Sequence, residues 1–181
     1  EIGCGEGANL IRLVHPDAQL IACDRSFPKV AFAVRQVANL RGLTCDAAAL
    51  PFAAASFDTV LLRDLLHHVF DRQAVLRAAW RVVAPHGRLI VIEPNCLNPL
   101  IFAQACAVAA ERGVWRSTAS TLQRELRALP GQRNYQLSRA QPFPLERVVL
   151  HPQWGRPQLA HSRWACSALR RLSHLAQRFP R

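Results

Sequence analysis

Short apolar segments alternate with amphipathic helical stretches through the first two thirds of this chain. Four segments are predicted as strands: residues 19–23, 43–45, 57–62 and 88–92. Helical patterns follow the first and third of them, at residues 28–40 and 71–83. Such alternation is typical of βαβ units and of a parallel sheet covered by helices. We therefore expect an α/β fold, Rossmann-like, with a doubly wound and mostly parallel sheet.

Local signals predict where the helices begin and end. A short helix is expected over 8–14, and Gly42 is predicted to end the helix that begins at Pro28. Asp71 is a predicted N-cap. The last third is less regular, and its predicted elements are a helix over 99–111, a helix to Leu129 capped by Ser120 and Gln123, a strand over 145–150 and an amphipathic helix over 159–179.

Length and composition limit the class of protein. The chain has 181 residues, half of them apolar, which suits one domain and excludes a disordered linker. No apolar run approaches the roughly 18–20 residues that a membrane span needs. We expect a single domain over 1–181, with a cofactor-binding half at 1–95 and a substrate-side insert and C-terminal elements at 96–181.

Six cysteines lack the spacing of a zinc site or of a disulfide framework. No C-x-x-C pair occurs, and the positions are irregular: 4, 23, 45, 96, 106 and 166. We therefore expect free thiols in a reducing cytoplasm, several of them packed in strands as small apolar groups.

The positive charge is concentrated in residues 112–181, which hold thirteen arginines and two glutamates. Such an excess can attract nucleic acid, an anionic membrane or an acidic partner, or it can reflect composition alone. Aromatic residues are not interleaved with the basic ones, so we expect no nucleic-acid partner. Residues 159–179 pair arginines with Trp164 and Phe179, which suits either a helix that covers the sheet or peripheral contact at the inner membrane face.

The segment EIGCGEG at residues 1–7 places three glycines between a strand end and a helix. Glycines there let the backbone turn tightly and approach a ligand. Asp24 ends the next strand, where a carboxylate can accept both hydroxyls of a ribose. These features fit NAD as well as S-adenosylmethionine, and they leave the choice open.

Further blocks decide between these cofactors. They follow in order along the chain: CDAAALPF at 45–52, SFDTV at 56–60, LHHV at 66–69, APHG at 84–87 and RLIVIEP at 88–94. With the glycine segment they resemble the class I S-adenosylmethionine-dependent methyltransferases, in the branch of quinone-biosynthesis and small-molecule enzymes. The resemblance covers residues 1 to about 95.

The resemblance implies roles for individual residues. It assigns Glu1, Gly3, Gly5 and Gly7 to the loop that holds the methionine and ribose of S-adenosyl-L-methionine. Asp24, with Arg25 beside it, would hold the ribose hydroxyls. Asp46 and Ala47 would bind the adenine amine, and Arg63 would lie beside the methionine moiety. His86 departs from the glycine that is common in the family at its position.

Asp64, His67 and His68 follow the fourth strand of the family, on the expected substrate side. One interpretation makes them catalytic groups or metal ligands, since methyl transfer to oxygen or nitrogen can require a base and the spacing Asp-x-x-His-His is similar to the metal-binding clusters of certain O-methyltransferases. The other interpretation is that the two histidines pack against the cofactor loop and bond to backbone. No second cluster in the sequence supports a metal, so we predict none.

In the family the first strand is central in the sheet, and here it is largely missing, as in an N-terminally truncated member. We expect this chain alone to be poorly stable and an upstream-extended version to fold. The predicted function is methyl transfer to a small acceptor, with a lipid or quinone favoured by Phe102 and Trp115 in the insert. The alternatives are an NAD-type oxidoreductase and an inactive methyltransferase fragment. The sequence indicates no oligomeric state.

Overall fold

A computed structural model describes residues 1–131, 135–138, 149, 158–159 and 162–177. Its four strands are β1 (Leu20–Asp24), β2 (Leu40–Thr44), β3 (Phe57–Arg63) and β4 (Val83–Ile92). β1 pairs in parallel with β2, and β3 pairs in parallel with β4. The predicted strand over 145–150 falls, apart from residue 149, outside the described residues.

The segment that precedes β1 joins the two strand pairs. Ile2 forms parallel bridges with Cys23 of β1 and Leu62 of β3. Its amide donates to the Leu61 carbonyl (2.9 Å), and the Cys23 amide donates to the Glu1 carbonyl (3.0 Å). The strand order is therefore β2, β1, Ile2, β3, β4, which confirms the predicted parallel α/β fold and puts the family's first-strand position between β1 and β3.

Five α-helices and three 3-10 segments are described. The helices are α1 (Phe27–Gln36), α2 (Arg72–Arg81), α3 (Pro99–Ala107), α4 (Ala119–Arg127) and α5 (Arg163–Gln177). The 3-10 segments are Leu10–Arg12, Leu66–His68 and Ala109–Arg116. The helix expected over 8–14 is thus a single 3-10 turn, and the one expected over 99–111 ends at Ala107.

α1 covers the β1–β2 side of the sheet. Its Val30 and Ala33 are buried together with Ala22 of β1 and Leu40 of β2. Leu10 completes this apolar cluster from the 3-10 turn after the glycine segment. The cluster holds the strand ends that carry the candidate cofactor residues.

The predicted role of Gly42 is wrong, because α1 ends at Gln36 and Gly42 lies inside β2. A Cβ at position 42 would be 2.5 Å from Val30 Cγ1 and from Val34 Cγ2. Glycine there lets the helix approach the strand closely.

The N-cap of α4 also differs from the prediction. Thr118 Oγ1, and not Ser120, accepts from the amide of Thr121 (3.1 Å). Ser120 lies inside the first turn, and its hydroxyl is 2.9 Å from Thr118 Oγ1. The N-cap predicted for α2 is confirmed, since Asp71 Oδ1 accepts from the Ala74 amide at 2.8 Å.

Residues 85–87, in the APHG block, form an irregularity inside β4. Phe57 is paired with Val83, but Thr59 is paired with Arg88, so β4 carries extra residues between these two pairs. His86 has a φ of 67° in this stretch. A left-handed backbone explains why glycine suits this position, and His86 tolerates it at some cost.

The chain forms two compact units, Glu1–Tyr135 and Gln136–Arg181. The predicted division into a cofactor-binding half at 1–95 and a substrate-side part at 96–181 stays a prediction. α5 belongs to the second unit. Within the described residues, no helix is long and apolar enough to cross a membrane.

Candidate cofactor site

Asp24 is anchored at the end of β1 by two backbone amides. The Gly5 amide donates to Asp24 Oδ2, and the Ser26 amide donates to Oδ1, each at 2.9 Å. These bonds orient the carboxylate between the glycine segment and the start of α1, while each oxygen retains a further lone pair. Arg25, the neighbour predicted with it, is exposed.

The three glycines of the segment all have positive φ: 72° at Gly3, 52° at Gly5 and 79° at Gly7. A Cβ at Gly3 would be 2.7 Å from Leu65 Cδ1, and one at Gly7 would be 2.8 Å from Ala33 Cβ. At Gly5 a Cβ would meet nothing within 4 Å. At Gly7 the rigid Ala33 leaves no room for a side chain, at Gly3 the flexible end of Leu65 would have to move, and Gly5 borders open space.

Glu1 and Arg63 are linked through Asn9, a residue that the sequence did not single out. Asn9 Nδ2 donates to Glu1 Oε1 (2.8 Å), and Arg63 Nη1 donates to Asn9 Oδ1. Glu1 Oε2 is buried without a hydrogen-bond partner among the described residues. Burial raises the pKa of the Glu1 carboxyl, and the bond from Asn9 opposes that rise. An unpaired buried carboxylate oxygen is a receptive position for a cationic or hydrogen-bonding ligand group.

Asp46 and Ala47 lie in the loop that follows β2. Asp24 is paired with Thr44 across the two strands, so this loop leaves the sheet at the same end as Asp24. Asp46 is exposed, and its Oδ1 accepts from the Ala48 amide at 2.9 Å. Ala47 is buried. The predicted adenine-binding residues thus stand at the carboxyl ends of the parallel strands, where ligands bind in open α/β sheets.

The two histidines after β3 have different surroundings. His67 is buried, with its Nδ1 2.8 Å from Glu93 Oε2 and its Nε2 3.4 Å from Glu111 Oε2. His68 is exposed, and the two rings lie 3.9 Å apart between centroids. One interpretation of the sequence gave the His67 ring backbone partners. In the structure its two nitrogens instead face carboxylates from two distant segments.

Glu93, at the end of β4, organises the segment that follows β3. Its Oε1 accepts from the amides of Leu65 (2.8 Å) and Leu66 (2.7 Å), and its Oε2 faces the amide and ring of His67. Burial would raise the pKa of the Glu93 carboxyl, but these donors together hold it below its ordinary value. Glu93 is therefore a buried carboxylate with hydrogen bonds on both oxygens.

Asp64 stands apart from the histidine cluster. Its side chain is half exposed, and its Oδ2 is 3.4 Å from Arg63 Nε. Its φ of 51° places a non-glycine residue in the left-handed region at the end of β3. Strained backbone of this kind is frequent at functional sites. The catalytic role predicted for Asp64 and the two histidines stays a prediction.

None of the six cysteines, all of which lie among the described residues, forms a disulfide, as the sequence predicted. Burial raises the pKa of the Cys4 thiol to about 11 and that of Cys23 to about 12. Burial also raises the pKa of Cys45, which lies close to Cys23. These thiols pack at the strand ends as neutral groups.

Comparisons with known proteins agree with this architecture. The YcgJ protein from Bacillus subtilis has a similar structure, with a TM-score of 0.59 and 25% identity over 70% of this chain and 58% of its own. A SAM-dependent methyltransferase from Thermotoga maritima has a TM-score of 0.61 and 22% identity over 70% of this chain and 59% of its own. These similarities show the fold of class I methyltransferases.

The sequence comparisons identify the family. Residues 1–91, half of the chain, match the family model described as "Methyltransferase domain". The demethylmenaquinone methyltransferase of Thermus thermophilus is 35% identical over 96 residues, which are 50% of this chain and 43% of that protein. The enzyme of the same name from Mycolicibacterium paratuberculosis is 36% identical over 104 residues, 57% of this chain and 44% of its own.

The chain therefore belongs to the methyltransferase domain family, which confirms the resemblance seen in the sequence. The matches span less than half the length of these curated relatives. Nothing in the comparisons supports the alternative of an NAD-type oxidoreductase.

Proposed function

We propose that this protein binds S-adenosylmethionine and transfers its methyl group to a small lipophilic acceptor of the quinone type. The observation that carries the proposal is the anchoring of Asp24 by the amides of Gly5 and Ser26. Binding of a ribose favours a carboxylate with a fixed orientation and with free lone pairs that can accept from the two hydroxyls. The Asp24 carboxylate has a fixed orientation and retains such lone pairs.

The residues at the strand ends suit the rest of that cofactor. Glu1 Oε2, buried and without a partner among the described residues, would accept from the ammonium of the methionine moiety. Arg63, bonded to Asn9, is the nearby cation for the carboxylate of that moiety. Gly5 borders open space and would let the backbone approach the ligand closely.

When bound, S-adenosylmethionine would supply a methyl group activated by a sulfonium. Direct transfer needs the acceptor, carbon and sulfur in line, so the protein contributes mainly by orienting the reactants and excluding water. Asp24 would hold the ribose of the cofactor, and Glu1 would hold its methionine moiety. Asp64 and His68 follow β3 and are exposed, so we assign them to the acceptor side.

The proposed acceptor class rests on two supports. The relatives named above are demethylmenaquinone methyltransferases. In addition, Phe102 of α3 and Trp115 of the following 3-10 segment are half exposed, with ring centroids 6.5 Å apart. An aromatic pair of this kind suits a flat apolar substrate.

Calorimetric titration with S-adenosylhomocysteine, with NAD as comparison, tests the cofactor. It is made on this chain and on a version extended upstream of Glu1 with its native sequence. We expect micromolar binding of S-adenosylhomocysteine that is lost in Asp24→Ala and retained in Asp17→Ala, which removes an exposed carboxylate. Preference for NAD, or binding that is indifferent to Asp24→Ala, would overturn the proposal. Absence of binding by both versions would favour an inactive member of the family.

We also propose peripheral contact with an anionic membrane through α5, on the inner face of a cytoplasmic membrane. Trp164 is 81% exposed, and Leu172 is 52% exposed on the same helix. Arg163 and Arg171 are exposed beside them. Apolar anchors flanked by arginines favour binding at a lipid surface, where a lipophilic acceptor would be found.

A further inference from the structure

We propose that His67, His68 and Glu111 form a binding site for a divalent transition-metal cation, with Zn²⁺ as the ion that the geometry favours. One ligand atom from each of the three side chains lies within 4.8 Å of the other two. Two imidazoles and one carboxylate are a donor set that zinc takes up in proteins, with a fourth position left for a water or a substrate oxygen. The inference does not depend on the identity of the methyl donor.

The hydrogen bonds of Glu93 determine which nitrogen of His67 is available. Glu93 is a buried acceptor, so His67 must donate from Nδ1 across the 2.8 Å contact. The free lone pair of a neutral His67 is then on Nε2, which faces Glu111 Oε2. Two lone pairs facing each other repel unless a proton or a cation lies between them. A carboxylate bonded to the far nitrogen of a histidine is the usual support of a zinc-bound imidazole.

The distance between His67 Nε2 and Glu111 Oε2 can be compared with the ligand separations of tetrahedral and right-angled metal coordination. His67 Nε2 and Glu111 Oε2 are 3.4 Å apart. Zinc bonds of about 2.0–2.1 Å at the tetrahedral angle place neighbouring ligand atoms about 3.3–3.4 Å apart. Bonds of the same length at right angles would place them about 2.8–3.0 Å apart. The separation of this one pair matches an edge of a tetrahedron, while the three ligand atoms together lie within 4.8 Å of one another, so they must draw closer when they bind the ion.

The backbone keeps the two sides of the cluster together. Gly113 packs on His67 so closely that a Cβ at position 113 would be 1.7 Å from the His67 carbonyl oxygen. The Arg116 guanidinium donates to the Val69 carbonyl at 3.1 Å. The 3-10 segment that carries Glu111 is therefore fixed against the segment that carries both histidines. A preorganised ligand pair lowers the entropic cost of binding a metal.

The sequence offered the two histidines as possible metal ligands but not the third ligand, because Glu111 lies more than forty positions from them along the chain. The expectation of no metal rested on the lack of a second cluster in the sequence. Folding brings the third ligand to the pair, and our inference replaces that expectation.

Zinc titration of the tag-free chain, after removal of metal with a chelator, tests the site. We expect one equivalent of Zn²⁺ to bind, and binding to weaken at least about tenfold in Glu111→Gln and in His68→Ala. Glu6→Gln and His86→Asn change exposed residues outside the cluster, and they should leave the affinity unchanged. Circular dichroism in the metal-free state checks that the variants are folded.

Co²⁺ provides a second readout that does not require the variants. The parent chain should show the visible d–d bands of a tetrahedral complex without charge transfer from thiolate, because the ligands are nitrogen and oxygen. Zinc binding that is absent, that is equal in Glu111→Gln and the parent, or that reports thiolate ligands would overturn the proposal. In the absence of binding, the contact between His67 and Glu111 would be explained by a proton in place of the metal.

Discussion

Gly113 lies against the backbone of His67, with its ideal Cβ position only 1.7 Å from the His67 carbonyl oxygen. Two segments from different parts of the chain meet at this point: the turn after β3 and the 3-10 segment after α3. A side chain at position 113 would force them apart, so this contact depends on the absence of a Cβ.

Replacement of this glycine is expected to lower stability. Gly113→Ala should cost more than about 3 kcal/mol of unfolding free energy, above the usual range for overpacking, because its methyl group would overlap with backbone atoms. Gly131→Ala is the control, since its Cβ would meet nothing within 4 Å and only its φ of 68° opposes alanine. Urea unfolding of both variants measures the difference. Equal losses in the two variants would show that the close contact has no energetic weight.

The buried ion pair between α2 and α4 provides a second prediction. Arg72 Nε and Nη2 lie 2.8 and 2.9 Å from the two oxygens of Glu125, and Nη1 donates to Ser117 Oγ at 2.9 Å. Arg72→Ala should cost about 3–5 kcal/mol, because it leaves Glu125 as an unpaired and largely buried carboxylate.

Arg77 is exposed on the same helix, and Arg77→Ala should change the unfolding free energy by less than about 0.5 kcal/mol. The stabilities of Arg72→Ala and Arg77→Ala are compared through the denaturant concentrations at which the two variants are half unfolded. Similar midpoints would mean that the Arg72 pair contributes no more than a surface charge.

The glycine segment should separate ligand binding from stability. Gly5→Ala and Gly7→Ala both put alanine at positive φ, which should lower the free energy of unfolding by about 1–2 kcal/mol in each variant. Gly7→Ala should lower the free energy of unfolding by about 1–3 kcal/mol more, because its Cβ would be 2.8 Å from the Cβ of Ala33.

Gly5→Ala should instead weaken S-adenosylhomocysteine binding about tenfold or more, because its methyl group enters the open space where the backbone would meet the ligand. Calorimetric titration and urea unfolding of the same two variants provide both quantities. Unchanged affinity in Gly5→Ala would place the ligand elsewhere.

The raised thiol pKa values predict an order of alkylation. At a pKa of about 12, Cys23 has roughly one thiolate in ten thousand at pH 8, and Cys4 is also suppressed by its pKa of about 11. Iodoacetamide should therefore modify the exposed Cys106 first, and Cys4 and Cys23 after unfolding in urea. Peptide mass spectrometry reads the order. Early labelling of Cys23 in the native chain would contradict the buried position of this strand end.

The membrane proposal predicts salt-sensitive binding to vesicles. The chain should sediment with phosphatidylglycerol vesicles more than with phosphatidylcholine vesicles, and added salt should reduce the bound fraction. Trp164→Ser should weaken binding several-fold, while Phe27→Ser, which removes another largely exposed aromatic residue outside α5, should not. Equal binding of all three proteins would exclude α5 as the contact.

Much of the fold was predictable because it depends on local pattern. Alternating apolar segments and helical stretches predicted the parallel strands β1, β3 and β4, and Asp71 marked the start of α2. The glycine segment and Asp24 were predicted as a pair, and the Gly5–Asp24 hydrogen bond joins them. Where tertiary packing competes with local preference, the prediction failed: Gly42 serves a helix–strand contact and not a helix end.

The sequence by itself determined the fold class and the positions of the strand-end residues, because hydrophobic period and turn chemistry act over a few residues. The tertiary structure decided the partners of those residues. Asn9 bridges Glu1 and Arg63. Glu93 and Glu111 lie beside His67 in the structure, although they are 26 and 44 positions from it along the chain. Contacts at such separations depend on how strands and helices pack, and no local pattern records them.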